Sequence, residues 1–534
     1  MKTIIKHLLI FSISFISLIS LSAKAQNTFD ILILNGRIID GTGNPWFEAD
    51  VGIVDQHIVS IGNLENAQAA KIIDASGLIV SPGFIDPHTH AIRGIFDNPT
   101  AESSLRQGVT TLLEGNDGSS PFPIDEHYQA IRDKGISTNW SVFVGQGTIR
   151  ELVIGTENRS ATTDELQQMK TLVAQAMEQG AMGISTGLFY VPGNFTPIEE
   201  VIELSRIVAD YDGIYISHMR DEVAGLMDSV NETIRIGEES GIPVQITHHK
   251  AMGRQNWGAS VETLSMVDAA RTRGIDITMD QYPYTAAQSS MSAIVPQWAQ
   301  AGGRDALLAI WNDSALRQEL KDGIVDRILY DRGGGSPANI VISFSAWDTS
   351  LEGKSLADIA NDRGIEPSPG NAAEIAMDII SRGGAQAVYH AMSEEDVERI
   401  MQHPATAIGS DGTLTIFGDG APHPRQYGTF ARVLGRYVRE RGIITLEDAV
   451  RKMSGATAQR LGIRDRGILR EGFYADISIF DADEIRDLST FEEPHQYAEG
   501  VKHVIVNGTL AIEDGLVTDA RPGMILNGPG YIED

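Results

Sequence analysis

The chain contains no cysteine. That absence excludes disulfides, thiolate metal ligands, cysteine nucleophiles and a lipobox. Any metal site must therefore be built from histidine and carboxylate. Basic residues are also scarce: 42 Lys+Arg face 72 Asp+Glu, a formal charge of −30. Nucleic acid and anionic lipid both require a basic surface, so neither is an expected partner. Long apolar runs are lacking as well. Residues 8–21 form an apolar and serine-containing stretch of 14 residues, shorter than the roughly 20 that a membrane span needs. Lys2 and Lys6 precede it and Ala23-Lys24-Ala25 follows it, which is the form of a cleaved secretory signal over 1–25. The expectation is an exported protein, periplasmic or secreted, with no stable membrane insertion after cleavage.

What is present is ordinary globular material. With 42% hydrophobic and 21% charged residues in 534, the chain has ample substance for a large core and is not globally disordered. Short β segments with turns occupy both ends. Asp30-Ile31-Leu32-Ile33-Leu34 runs into Asn35-Gly36, a hairpin signal, and similar segments follow at 51–54, 58–62, 475–480 and 501–508. Chain ends often lie close together, so one small β-sandwich domain built from 26–82 and 466–534 is expected. Between them, apolar strand-like runs alternate with amphipathic helical stretches. The candidate strands are 79–90, 109–115, 139–145, 181–186, 214–218, 243–249, 276–282 and 405–411. Eight such units fit an α/β fold of the (β/α)8 TIM-like type over 83–465. A doubly wound sheet would seldom place polar residues at so many strand ends. The long gap before the last strand predicts an inserted subdomain over about 290–390.

In such a barrel the chemistry lies at the C-terminal strand ends. The first candidate strand ends in Asp86-Pro87-His88-Thr89-His90. Alternation along a strand puts His88 and His90 on one face, a pair suited to a divalent metal. His218 and His248 end two further strands. Each alone is more often a hydrogen-bonded structural histidine, but four histidines on three strand ends converge on a metal reading. His249 has the opposite parity to His248 and is expected to face away. Lys250 shares the parity of His248 and is a candidate for holding a substrate carboxylate. Asp411, in Ser410-Asp411-Gly412, is either a turn residue or the general base beside a metal-bound water.

These residues, with Gly183-Ile184-Ser185-Thr186-Gly187-Leu188-Phe189-Tyr190, Ser217-His218-Met219-Arg220, Thr247-His248-His249-Lys250, Tyr282-Pro283-Tyr284 and His423-Pro424-Arg425, resemble the N-acyl-D-amino-acid deacylases (D-aminoacylases) of the amidohydrolase superfamily. The resemblance covers about residues 28–515. It implies a divalent metal cofactor, zinc foremost, as one or two ions. His88 and His90 would hold one position, and His218 and His248 the other. It further implies a metal-bound hydroxide as nucleophile, Asp411 as general acid/base and Tyr190 polarising the scissile carbonyl. Lys250, Tyr284 and Arg425, with Ser289 or Ser290, would bind the α-carboxylate of an N-acyl-D-amino acid, the implied small-molecule substrate. One departure stands out. Where the family usually carries Gly-Asn-Cys-Gly, this chain has Glu114-Gly115-Asn116-Asp117-Gly118. Asp117 stands in the place of the cysteine ligand, with Glu114 as a second candidate; the rival reading makes Asp117 a turn residue and leaves a single metal. Three alternatives remain at this stage: an exported amidohydrolase acting on another amide, such as a dipeptide or cyclic amide; a non-catalytic exported binding protein; and a structural or adhesive role for the acidic surface.

Overall fold

The computed structural model describes residues 28–533; the expected signal segment lies outside the described residues. Both ends of the described chain build a single nine-stranded sheet. Its first strand, Thr28–Ile38, pairs antiparallel with Phe47–Val54 and parallel with Gln68–Asp74 and Ile79–Pro82. Ile79–Pro82 then pairs with Ile477–Phe480, which carries the sheet into the C-terminal strands Val501–Val506 and Thr509–Glu513. Ile31, Ile33, Val51, Ile53, Val80, Ile477 and Ile505 form the core of this sheet. Asn35-Gly36 does not turn the chain as the dipeptide suggests. It forms a bulge within one continuous strand, with Asn35 at φ +62° and its N–H donating to Asp50. Gly36 is needed there because a Cβ would stand 2.6 Å from Val80 Cγ2. The same dipeptide at Asn507-Gly508 does turn the chain, between Val501–Val506 and Thr509–Glu513.

The expected first barrel strand over 79–90 is likewise divided. Ile79–Pro82 belongs to the terminal sheet and Phe84–Asp86 to the barrel. Gly83 is the crossing point, where a Cβ would lie 2.2 Å from Thr110. The barrel strands follow in chain order as Phe84–Asp86, Val109–Glu114, Asn139–Val142 continued by Val144–Gly145, Gly183–Gly187, Ile214–His218, Val244–Ile246, Ile277–Gln281 and Thr406–Ile408. They are hydrogen-bonded in parallel as one run of three and one of six, joined through the shared third strand by Phe143 N–H donating to Glu114 O and Met182 N–H donating to Val142 O. At the opposite seam the loop after the last strand meets the loop after the first. Asp411 N–H donates to His88 O (2.8 Å) and His90 N–H to Gly412 O (2.7 Å). These strands are almost wholly buried, as expected for a parallel sheet covered on both faces.

Helices such as Thr163–Glu178, Ile198–Ala209 and Leu226–Ser240 cover the outside of the barrel. The first starts at a capping box between Thr162 and Glu165. Between the last two strands an antiparallel sheet of Ala287–Ser290, Gln386–Tyr389 and Ile340–Phe344 carries helices Gly303–Asn312, Arg317–Tyr330 and Pro369–Ser381. This insertion brings Ser289, Ser290 and Arg332 to the mouth of the barrel.

Asp86 ties the seam together. Its buried Oδ1 accepts from the N–H groups of both His88 (3.2 Å) and Ser410 (2.9 Å). Burial pushes its carboxyl up to about 7 against the opposing pull of these bonds. Asp86→Ala leaves two buried donors unpaired and is expected to lower stability by roughly 2–4 kcal/mol, read as a fall in the urea midpoint with unchanged slope.

Candidate metal centre

Four imidazoles and two carboxylates converge where the strands end. Only His218 lies within a strand; His88, His90, Asp117, His248 and Asp411 stand in the first residues of the following loops. Three of them have left-handed backbone: Asp117 at φ +56°, His248 at +34° and Asp411 at +51°. Such conformations cost of order 1–3 kcal/mol each and persist only where the surroundings enforce them. For Asp117 the enforcement is visible. Gly118 N–H donates to Ser185 Oγ (3.1 Å), and a Cβ on Gly187 would meet Asp117 O at 2.1 Å. The loop is pressed against the fourth strand with no room for a side chain between.

The donors form two overlapping groups, His88, His90, Asp117 and Asp411 in one and Asp117, His218 and His248 in the other. Asp117 Oδ1 lies 3.5 Å from His88 Nε2 and 3.4 Å from His248 Nε2, while Oδ2 lies 3.5 Å from His90 Nε2 and 3.4 Å from His218 Nδ1. Asp411 Oδ1 is 3.2 Å from His90 Nε2. Donors about 2.1 Å from a tetrahedral ion stand about 3.4 Å apart, so the spacings to Asp117 fit a divalent cation, while His218 Nδ1 and His248 Nε2 stand closer, hydrogen-bonded to each other at 2.7 Å. His88 Nε2 and Asp117 Oδ1, which face the cluster, are buried without hydrogen-bond partners, as suits metal ligands and not a purely structural cluster. Burial alone would raise the Asp117 carboxyl, but His218, His248 and His88 hold it far below the usual range. Burial would lower His90, yet Asp117 and Asp411 lift it to about 9. The site keeps its carboxylates ionised and calls for positive charge.

Around the donors is a cavity of about 280 Å³. Tyr190 reaches it with its hydroxyl 3.3 Å from Ser289 Oγ and its ring against His218. Arg425 donates to Asp411 Oδ2 (2.8 Å) and lies over the Tyr282 ring; His423 prepares its backbone by accepting from Arg425 N–H. Lys250 Nζ contacts Glu222 Oε1 (2.6 Å), His248 Nδ1 (2.7 Å) and His248 O (2.9 Å). Ser290 lines the cavity but its hydroxyl also accepts from Ser292 N–H. His249 is turned away and pairs with Thr263.

Two expected site residues lie elsewhere. Glu114 is outside both donor groups; it accepts from Ile92 N–H (2.9 Å) and shapes the loop that carries His90. Burial raises its carboxyl to about 7. Tyr284 does not line the cavity. Its ring packs on His423 and Phe491, and its hydroxyl donates to Pro424 O. Tyr282, two residues earlier, is the tyrosine that faces the site. Sequence reasoning missed four further groups. Asp280 accepts from His248 N–H (2.7 Å) and Gln245 (2.6 Å) and stands 3.6 Å from His88 Nδ1; its place near the end of an apolar strand was a usable signal. Tyr282 closes the same segment. Glu222 follows His218 by four residues, off the strand, and Arg332 comes from the insertion with no local mark.

The amidohydrolase family model matches residues 71–320 and 358–512. The chain belongs to the amidohydrolase family. The unmatched segment between the two blocks falls inside the inserted subdomain. Among its relatives, this amidohydrolase is 35% identical to the D-aminoacylase of Alcaligenes xylosoxydans xylosoxydans, over 95% of this chain and 99% of that protein. It is 34% identical to the N-acyl-D-glutamate deacylase of the same organism, over 94% and 97%. A crystal structure of N-acyl-D-glutamate deacylase from Bordetella bronchiseptica, complexed with zinc and a phosphonate mimic of the tetrahedral intermediate, superposes with a TM-score of 0.81 at 34% identity. It covers 94% of this chain and all of that one.

The Lys250–Glu222 pair is fully buried. Burial would raise the Glu222 carboxyl, but Lys250 and the neighbouring histidines hold it far below its ordinary value. Lys250→Met strands that charge and is expected to cost about 3 kcal/mol or more in urea unfolding, with most of the loss recovered in the Lys250→Met/Glu222→Gln double variant.

Proposed function

We propose that this amidohydrolase cleaves the amide bond of N-acyl-D-amino acids to a carboxylate and a free D-amino acid. The observation that carries the reading is the single cavity in which the His/Asp donor groups face Tyr190, Lys250 and Arg425. His88, His90, Asp117 and Asp411 would hold one divalent ion, and Asp117, His218 and His248 a second, with zinc supported by the zinc-containing relative. When bound, the metal polarises the scissile carbonyl and activates water at neutral pH.

This chain's own residues supply the rest. Asp411 turns Oδ1 toward the cluster, while Arg425 holds Oδ2. Burial would raise its carboxyl, but the Arg425 guanidinium and His90 keep it well below the usual range. It is therefore ionised, able to take a proton from the attacking water and deliver it to the departing amine. Tyr190 keeps its phenolic proton, because burial raises its pKa, and donates it as a hydrogen bond to the developing oxyanion. Lys250, Arg425 and Ser289 line the same cavity and offer cations and a hydroxyl to the substrate α-carboxylate. A carboxylate arriving at Lys250 exchanges for one of its three present partners. The signal-like sequence pattern over 1–25 supports action outside the cytoplasm, in the periplasm or beyond the cell.

The test is amine release from paired N-acetyl-D- and N-acetyl-L-amino acids carrying Leu, Met, Phe, Glu or Asp, with Zn²⁺ or Mn²⁺ added. Metal-dependent release confined to D-substrates is expected. Metal-loaded protein silent across the panel would overturn the reading in favour of another amide. Asp411→Asn is expected to lower kcat by about 10²–10⁴ with KM preserved, in steady-state kinetics on the best substrate.

A further inference from the structure

The position of Asp117 carries a more specific conclusion, which rests on the reading of this cluster as a metal centre. Each of its oxygens faces one histidine from each side: Oδ1 is set between His88 and His248, Oδ2 between His90 and His218. The carboxylate thus belongs to both donor groups, and among the described residues no other does. Its backbone is held in a left-handed turn between Gly115 and Gly118, where a Cβ on Gly115 would strike Phe143 O at 2.0 Å. Oδ1 is buried and has no hydrogen-bond partner. A turn residue would spend that oxygen on a backbone N–H; here both oxygens point at imidazoles. The chain also has no cysteine to contribute, so the donor set consists of imidazole nitrogen and carboxylate oxygen alone. Soft thiolate favours zinc and its softer relatives, whereas carboxylate suits hard ions such as Mn²⁺ and imidazole accepts a range of first-row metals.

We propose that Asp117 is a carboxylate bridge shared by two divalent cations, and that this sulfur-free pair of sites accepts Mn²⁺ as a full binuclear occupant. The bridge couples the two ions through one side chain. Losing it weakens both positions, while losing a histidine weakens one.

The experiment loads the metal-stripped full chain with Mn²⁺ alone and measures bound metal after equilibrium dialysis together with the electron paramagnetic resonance spectrum. Two Mn²⁺ per chain with an exchange-coupled spectrum is the expected result. Asp117→Asn is expected to weaken Mn²⁺ binding by more than about tenfold and to abolish the coupling. Asp117→Cys guards against a folding artefact: it restores a bridging anion but shifts preference toward Cd²⁺ over Mn²⁺ by about tenfold or more. One Mn²⁺ per chain, two uncoupled ions, or coupling that survives in Asp117→Asn would each overturn the bridge. None of these readouts involves a substrate, so an inactive protein with a coupled pair would sink only the deacylase reading, and an active one without coupling only the bridge.

Discussion

The structure turns on the concentration of ionisable groups at the barrel mouth. Four imidazoles and two carboxylates occupy a space where few hydrogen-bond partners reach them. Burying charge without a partner is costly, and the histidines and carboxylates balance one another only in part. A divalent cation resolves the imbalance by taking the place of protons on the imidazoles while satisfying the carboxylates. The surrounding architecture serves this requirement. Asp280 fixes the His248 backbone by accepting its N–H, Arg425 keeps Asp411 ionised, and Lys250 contacts His248 Nδ1 while neutralising Glu222. Partners of this kind set ligand orientation and basicity in metal sites generally.

The barrel makes the arrangement possible because it delivers side chains from strands far apart in sequence to one rim. Its seam is part of the site. The hydrogen bonds that bring the last strand's loop against the first also position Asp411 next to His88 and His90. Asp86, beneath them, ties closure of the barrel to placement of the metal donors. The strained turns at Asp117, His248 and Asp411 are the local cost of aiming donors inward just past the strand ends. The insertion adds the wall opposite, through Ser289, Ser290 and Arg332.

Much of this was legible in the residues because the relevant signals are local. Strand-ending histidines and an Asp-Gly after an apolar run mark a catalytic rim without reference to anything distant. Legibility failed where two nearby residues competed for one role. Glu114 and Asp117 are both carboxylates close to the second strand's end, and Tyr282 and Tyr284 flank Pro283 in a tight turn where Tyr284 N–H donates to Tyr282 O. In each case the outcome depended on what neighbouring segments supplied. Glu114 is taken by the backbone of Ile92, and Tyr284 by His423 and Phe491. The Asn35-Gly36 dipeptide misled in the same way, since Val80 and Asp50 made it a bulge rather than a turn.

Composition alone decided that any metal here is held by nitrogen and oxygen, since a chain without cysteine has no thiolate to offer. The spacing of apolar runs decided that parallel strands alternate with helices and that histidines stand at their ends. Tertiary structure decided which carboxylate stands among the imidazoles, which tyrosine faces the cavity, and that Glu222, Asp280 and Arg332 belong to the site. Those choices rest on contacts between segments tens to hundreds of residues apart, whose geometry arises only when the barrel closes and the inserted subdomain settles on its rim.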